Sequence, residues 1–262
     1  MDITLGGRAV FAATGGRPFD PALPAVVLLH GAGMDHMVWA FQSRYLAHHG
    51  RSVLALDLPG HGRSDGPALE SVEEMADWLV RVLDALGVAE AAVAGHSMGA
   101  IVALTAAARH PARVRALAVL GCAGAMPVHP ALLSEAAADR LSAVEMVNGW
   151  GHGQDSQRGG HPLAGTWLLG VGHRLLQRAS PGVLHRDLVA CDAWKNGAAA
   201  AAAVECPTLV LSGADDRMTP AKAGRALAAA IPGARYEVLP GTGHMLMTEA
   251  PEATLAALKT VL

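Results

Sequence analysis

The stretch Val93-Ala94-Gly95-His96-Ser97-Met98-Gly99-Ala100 decides the fold, because it places a serine between two closely spaced glycines. It follows an apolar run that begins at Ala91 and precedes a long alanine-rich segment, an order typical of a strand, a very tight turn and a helix. The two glycines have no side chains at the points where the backbone of such a turn is crowded. The pattern therefore predicts a nucleophile elbow with Ser97 at its apex. A Gly-x-Ser-x-Gly pentapeptide also occurs in unrelated proteins, so a function requires partner residues from elsewhere in the chain.

Length and composition narrow the class of protein. The 262 residues suffice for one domain, or for one domain with an insertion, and can bury a large core. With 52% hydrophobic residues, 16% charged residues and a net charge of -3, the chain has no basic excess. We therefore expect neither nucleic acid nor an anionic membrane surface as a partner.

The N-terminus and the cysteines indicate the compartment. Residues 1–5 include no basic segment followed by a long apolar run, and no stretch is apolar enough to span a membrane. Cys122, Cys191 and Cys206 are odd in number, far apart and in no metal-ligand spacing. Free thiols in a reducing compartment explain this usage, so we expect a cytoplasmic protein.

Predicted strands and helices alternate along most of the chain. Residues 3–14 resemble an antiparallel hairpin, and short apolar runs predict buried strands at 25–29, 53–58, 91–94, 114–120, 208–211 and 236–239. Helices are predicted at 37–49, from the capping box at Ser71 to Gly87, from the elbow to about His110, and from Pro251 to the end. This order predicts an α/β fold with a mostly parallel central sheet flanked by helices.

Residues 124–203 interrupt the alternation. Helices are predicted at 131–147 and 167–178 but no strand, and loops without structure are rarely so long. We interpret 124–203 as an inserted helical cap, or lid, on a core formed by 1–123 and 204–262. The cap contains Trp150, Trp167 and Trp194, of which Trp150 and Trp167 either line an apolar pocket or anchor the cap to the core. Its histidines match no zinc spacing, so no metal site is predicted; they are His129, His152, His161, His173 and His185.

Candidate catalytic residues follow the predicted strands. In an open α/β sheet the carboxyl ends of the strands lie at one edge, where ligands bind. Ser97, the pair Asp215-Asp216 and His244 each follow a different strand, in that order along the chain. A serine hydroxyl needs a base within hydrogen-bond reach, and a carboxylate orients the histidine that serves as that base. The Met98 amide and a donor in the loop 31–33 could stabilise a developing oxyanion.

Five motifs together resemble the α/β-hydrolase superfamily over essentially the whole chain. They are His30-Gly31 after a strand, Asp57-x-x-Gly60-x-Gly62-x-Ser64, Gly95-His96-Ser97-Met98-Gly99, Gly213-x-x-Asp216-x-x-x-Pro220 and Gly243-His244. The resemblance implies the α/β-hydrolase fold with a variable cap at 124–203. It implies that the acid is Asp216, four residues before Pro220, and not Asp215. It also implies that the backbone amides of Ala32 and Met98 form the oxyanion hole.

Three further polar residues accompany these motifs. His30 follows a buried strand, and we expect it to form hydrogen bonds within the scaffold rather than to act in catalysis. Asp57 is expected to brace its glycine-rich loop. His96 either reaches the pocket or shapes the elbow.

The chemistry expected from these residues is hydrolysis of carboxylic esters through an acyl-enzyme on Ser97, with a small-molecule ester or lactone as substrate and no cofactor. An elbow aspartate would indicate a haloalkane dehalogenase or epoxide hydrolase, and an elbow cysteine a dienelactone hydrolase; the serine disfavours both. The alternatives are an enol-lactone hydrolase, a carbon–carbon hydrolase, a cofactor-free haloperoxidase and an acyltransferase. Many carbon–carbon hydrolases carry Asn at the position of His96, and haloperoxidases usually have little cap. A non-enzymatic small-molecule receptor is the alternative outside enzymes, and the sequence leaves the oligomeric state open.

Overall fold

A central sheet organises the structure, a computed structural model that describes residues 1–160 and 165–262. The sheet has eight strands in the order β1-β2-β4-β3-β5-β6-β7-β8. The strands are β1 (Asp2–Leu5), β2 (Arg8–Ala13), β3 (Ala25–Leu29), β4 (Ser52–Leu56), β5 (Ala91–His96), β6 (Val114–Leu120), β7 (Thr208–Gly213) and β8 (Arg235–Leu239). β1 and β2 pair antiparallel, β2 joins β4 antiparallel, and all later pairs are parallel. The predicted α/β fold with a mostly parallel sheet is confirmed.

Helices follow most of the parallel strands and fill the segment between β6 and β7. They are α1 (Ala40–Ala47), α2 (Val72–Ala85), α3 (Met98–Arg109), α4 (Pro130–Ala137), α5 (Leu141–Gly151), α6 (Gln154–Gln157), α7 (Leu168–Gln177), α8 (Val183–Ala193), α9 (Gly197–Ala202), α10 (Ala221–Ala230), α11 (Leu246–Glu249) and α12 (Pro251–Leu258). The predicted capping residue of α2 is confirmed, because the Ser71 side chain accepts a hydrogen bond from the Glu74 amide at 3.2 Å. No helix of the described ranges is long and apolar enough to cross a membrane.

Several helix boundaries differ from the sequence prediction. The single helix expected at 131–147 is two helices, α4 and α5, because Asp139 between them has a left-handed φ of 49°. The Asp139 carboxylate accepts a hydrogen bond from the Gly182 amide at 2.7 Å, which favours this break. The prediction omitted α6, α8, α9, α10 and α11. Helix α8 has weak helical periodicity, whereas α10 is amphipathic and its pattern was overlooked. His161 lies outside the described residues.

Both faces of the sheet are buried. On β5, Val93 packs into the core that contains α2 and α3, whereas Ala92 and Ala94 pack into the core on the other face. The second core also contains leucines and valines from the segment between β6 and β7, such as Leu132, Val147 and Leu188. Residues of 124–203 thus share a hydrophobic core with the sheet, which fixes them over its carboxyl edge.

Candidate active site

Ser97 occupies a strained turn between β5 and α3. Its φ of 53° and ψ of -116° are unusual for a residue other than glycine, and such conformations cost about 1–3 kcal/mol. A Cβ at Gly95 would lie 2.0 Å from the Gly99 carbonyl oxygen, and one at Gly99 would lie 2.5 Å from the His30 carbonyl oxygen. Glycine is therefore required at both positions. The predicted strand, turn and helix are confirmed, and Ser97 is partly exposed at the apex.

Asp216 is a buried carboxylate in the loop after β7. Its Oδ1 accepts hydrogen bonds from the Met218 and Thr219 amides at 2.8 Å each, and its Oδ2 accepts one from Thr219 Oγ1 at 2.7 Å. Burial by itself would raise the pKa of Asp216, but the neighbouring His244 and these hydrogen bonds outweigh burial and hold that pKa below its ordinary value. Asp216 is thereby kept ionised. The adjacent Asp215 is exposed.

His244 connects this carboxylate to the cavity that contains Ser97. Its Nδ1 lies 2.8 Å from Asp216 Oδ2, so Nδ1 carries the proton and donates it. Its buried Nε2 has no hydrogen-bond partner among residues 1–160 and 165–262, and His244 and Ser97 line the same cavity. No hydrogen bond joins Ser97 Oγ to Nε2 in the described structure, and such bonds are often long before a substrate binds. The lone pair on Nε2 is therefore available to accept a proton.

Two backbone amides flank the serine. The amides of Ala32 and Met98 donate to no acceptor in the described ranges. Met98 is the first residue of α3, where a helix leaves its N–H groups unpaired, and Ala32 lines the cavity beside Ser97. A Cβ at Gly31 would lie 3.3 Å from Ser97 Cβ, so the loop that carries Ala32 packs directly on the elbow.

Two buried histidines support this region in the neutral form. His30 Nε2 accepts a hydrogen bond from the Leu58 amide at 3.1 Å, and its Nδ1 donates to the Gly31 carbonyl oxygen at 2.9 Å. Burial and the nearby His61 lower the pKa of His30 to about 4. His96 Nε2 donates to the His244 carbonyl oxygen at 2.9 Å, and burial together with the neighbouring His244 lowers the pKa of His96 to about 3. The scaffold role predicted for His30 is confirmed, and His96 connects the elbow to the His244 loop.

Asp57 braces its loop as predicted. Its Oδ1 accepts from the His36 amide at 2.8 Å and contacts His36 Nδ1 at 2.9 Å, and its Oδ2 accepts from the Arg63 amide at 2.9 Å. Within the residues that the structure describes, the side chains of Asp35, His36 and Asp57 form a cluster whose ligand atoms lie close enough together to hold a metal ion. Hydrogen bonds already occupy both Asp57 oxygens, so a structural role explains the cluster.

The cavity at Ser97 has a volume of about 460 Å³ and a mostly apolar lining. The segment 124–203 contributes much of that lining, including Met126, Val128, Leu132, Val147, Trp150 and Leu188. Of the two tryptophans singled out in the sequence, Trp150 lines the cavity, whereas Trp167 is 67% exposed and lies outside the lining. Arg217 also contributes to the lining and forms no ion pair with a described carboxylate. Cys191 in the lining is a free thiol, whose pKa burial raises.

Two sets of contacts around the candidate site were not predicted from the sequence. Thr219 bonds the Asp216 carboxylate, and its position three residues after an aspartate in a loop is the signal that could have revealed it. Glu249, buried in α11, accepts from the amides of Met245 and Gly153 at 3.1 and 2.8 Å. It thereby connects the His244 loop to the segment between α5 and α6.

Comparison with known proteins agrees with this geometry. A sequence model described as "Alpha/beta hydrolase family" matches residues 26–258. The chain is 27% identical over 240 residues to the (E)-2-((N-methylformamido)methylene)succinate hydrolase of Acinetobacter baylyi, covering 89% of this chain and 88% of that protein. It is 32% identical over 228 residues to the pimeloyl-[acyl-carrier protein] methyl ester esterase of Chromobacterium violaceum, covering 84% of this chain and 87% of that protein.

Among solved structures, the enol-lactonase from Burkholderia xenovorans LB400 is similar over nearly the whole chain. The TM-score is 0.88 at 25% sequence identity, and the match covers 99% of this chain and 98% of that chain. The similar proteins thus include hydrolases of esters, of an enol-lactone and of a substituted succinate.

Proposed function

The chain belongs to the alpha/beta hydrolase family and is a hydrolase, and on that premise we propose that it cleaves carboxylic esters through an acyl-enzyme on Ser97. One observation carries the proposal. Ser97 at the strained elbow shares a cavity with His244, whose Nδ1 bonds a carboxylate that three other donors keep ionised. Ser97, His244 and Asp216 are the proposed nucleophile, base and orienting acid.

The first half of the proposed reaction forms the acyl-enzyme. Ser97 Oγ attacks the ester carbonyl carbon while His244 Nε2 takes the hydroxyl proton, and the Asp216 carboxylate stabilises the resulting imidazolium. The amides of Ala32 and Met98 donate to the oxygen that becomes negative in the tetrahedral intermediate. Removing one such donor costs about 10²–10³ in kcat in enzymes of this kind. The intermediate collapses when Nε2 returns its proton to the leaving alcohol.

The second half releases the acid. A water molecule loses a proton to His244 Nε2 and attacks the acyl carbon, and the same two amides stabilise the second tetrahedral intermediate. Nε2 then protonates Ser97 Oγ as the acyl bond breaks. The carboxylic acid leaves and the starting state is restored, so no cofactor enters the proposed cycle.

We further propose that residues 124–203 act as a cap that selects the substrate. This segment supplies much of the cavity wall, and 460 Å³ is within the range of small-molecule sites. The apolar wall favours an uncharged or apolar acyl group. Because Arg217 in the lining forms no ion pair with a carboxylate of residues 1–160 or 165–262, the substrate panel compares neutral esters with esters that carry a second carboxylate.

A lactone hydrolase is the second candidate. The enol-lactonase of Burkholderia xenovorans shares the fold over 99% of this chain, and opening a lactone uses the same attack, oxyanion and proton transfers. The two candidates differ only in whether the leaving oxygen stays attached to the acyl group. Parallel assays on p-nitrophenyl esters and on enol-lactones separate them by kcat/KM.

Ser97→Ala tests the proposed function. We expect it to abolish turnover of short p-nitrophenyl esters and of lactones, because Ser97 is the proposed nucleophile that forms the acyl-enzyme. A fluorophosphonate should add its mass to Ser97 in the unchanged protein and not in the variant. Ser180→Ala is the matched control, since Ser180 is exposed and its side chain has no partner in the described ranges. Full activity in Ser97→Ala would disprove the assignment.

A further inference from the structure

Asp187 is a buried carboxylate of helix α8, within the segment 124–203, and it takes no part in the reaction described above. Its side chain is 0% exposed, and its Oδ2 contacts two groups of the core. Oδ2 accepts a hydrogen bond from the Gly33 amide at 2.8 Å and another from His61 Nε2 at 2.8 Å. A buried carboxylate is tolerated only where charge and hydrogen bonds compensate it, so these two contacts define its role.

His61 provides the compensating positive charge. Its Nε2 faces the Asp187 carboxylate, and its Nδ1 lies 3.0 Å from the Pro59 carbonyl oxygen, which can only accept. Both ring nitrogens therefore carry protons and the ring is an imidazolium. Burial alone would lower the pKa of His61, but the Asp187 carboxylate outweighs burial and raises that pKa above its ordinary value. The other groups that face the ring are His30, at 4.8 Å between ring centroids, and Asp57.

The Gly33 amide belongs to the loop that carries a proposed oxyanion donor. Gly33 has a left-handed φ of 66°, and the Met34 amide closes the turn on the Gly31 carbonyl oxygen at 3.2 Å. A Cβ at Gly33 would lie 2.9 Å from Leu184 Cδ1, so the loop lies tightly against α8. Asp187 therefore takes the Gly33 N–H, while the Ala32 N–H beside it keeps no acceptor in the described chain and adjoins the cavity.

We infer that Asp187, held by His61, is a positioning residue for the oxyanion loop and that the cap thereby sets the orientation of the Ala32 amide. This inference rests on the proposed function. A charged acceptor at the Gly33 N–H fixes the peptide plane between Ala32 and Gly33, and this restrains the preceding plane, between Gly31 and Ala32, which carries the Ala32 N–H. The segment 124–203 is thus part of the catalytic apparatus at this point, in addition to forming the cavity wall.

The test is Asp187→Ala with Asp187→Asn as the conservative variant. Loss of the Gly33 acceptor should lower kcat on a neutral p-nitrophenyl ester by about 10²-fold, the effect of one misplaced oxyanion donor, while KM changes little. Asp187→Asn keeps an acceptor oxygen but no charge, so its kcat should fall less than that of Asp187→Ala. Glu145→Gln, an exposed change in α5 of the same segment, is the control and should retain unchanged kinetics.

Inhibitor binding distinguishes positioning from a general loss of structure. A trifluoromethyl ketone adds Ser97 Oγ to form a tetrahedral oxyanion, whereas the matching methyl ketone binds chiefly as the carbonyl. We expect Asp187→Ala to lower the affinity for the trifluoromethyl ketone in parallel with kcat and to leave the affinity for the methyl ketone unchanged. If Asp187→Ala does not fold, the affinities of Asp187→Asn for the same two inhibitors provide the test.

Two results would overturn the inference. One is wild-type kcat and wild-type trifluoromethyl ketone affinity in a folded Asp187 variant. The other is an equal loss of affinity for both ketones, which would indicate collapse of the pocket. Failure of the proposed function has a different signature, since the unchanged protein would then turn over neither esters nor lactones. Hydrogen exchange of the Gly33 amide, expected to be faster in Asp187→Ala, reports on the contact independently of activity.

Discussion

Replacing Asp216 by asparagine is the sharpest test of how the proposed catalytic histidine is held. The Oδ1 position could still accept from the Met218 and Thr219 amides, so the loop should remain folded. The Oδ2 position would become an NH2 group, which donates and would face two donors, His244 Nδ1–H and Thr219 Oγ1–H. The simplest relief moves the His244 proton from Nδ1 to Nε2. His244 then cannot accept the proton of Ser97.

The expected loss follows from that change of tautomer. A histidine locked in the wrong tautomer lowers kcat by about 10³–10⁴-fold, or about 4–5.5 kcal/mol in the activation barrier. The loss of kcat is measured from initial rates on a p-nitrophenyl ester between about pH 6 and pH 9, and circular dichroism verifies that the variant is folded. Asp215→Asn is the matched control, because that neighbouring carboxylate is exposed, and we expect kcat within about twofold of wild type. Comparable losses in both variants, or near-normal activity in Asp216→Asn, would refute the reasoning.

Two predictions concern stability. Gly99→Ala would place a Cβ 2.5 Å from the carbonyl oxygens of both Leu29 and His30, so we expect urea unfolding to show that the free energy of unfolding falls by about 3 kcal/mol or more. Gly149→Ala is the control, because a Cβ there has no neighbour within 4 Å among the described residues, and it should be neutral or stabilising. Equal stability of the two variants would contradict the elbow geometry. Because folding raises the pKa of His61, the stabilisation from its charge is fully present below the ordinary value of 6.5 and decreases as the pH rises through the folded value. The free energy of unfolding of wild type minus that of His61→Gln should therefore be larger at about pH 5.5 than at about pH 9, and a difference that is constant or increases with pH would contradict the charged His61.

The sequence by itself determined the scaffold and the order of the proposed catalytic residues. The strands carry continuous apolar runs because both faces of a parallel sheet are covered, and that pattern is local. Parallel strands present their carboxyl ends at one edge, so the residues that follow β5, β7 and β8 lie at the same edge of the sheet. The rule places Ser97, the pair Asp215-Asp216 and His244 at that edge, and the choice of Asp216 over Asp215 came from the family resemblance. In the structure Asp216 is the carboxylate bonded to His244, and the loop with Ala32 packs on the elbow.

The segment 124–203 was only partly predictable. Helix α7 coincides with an amphipathic stretch, but the break between α4 and α5 depends on Asp139, whose left-handed conformation is favoured by a contact with Gly182. Propensity and periodicity describe neighbours in the chain and do not encode a partner 43 residues away. The same limit explains why the sequence could not decide that Trp150, and not Trp167, lines the cavity.

Only the tertiary structure decided which charges meet. Asp187 and His61 are 126 residues apart, and neither belongs to a spacing that predicts a pair, yet burial brings their side chains to 2.8 Å. Where helix α8 packs against the loops that carry Gly33 and His61, the buried carboxylate of Asp187 requires a cation and an amide, and the packing of α8 determines which ones it contacts. The identity of the proposed nucleophile was therefore local information, whereas the contacts that we infer to orient its oxyanion loop depend on how the helices between β6 and β7 pack on the sheet.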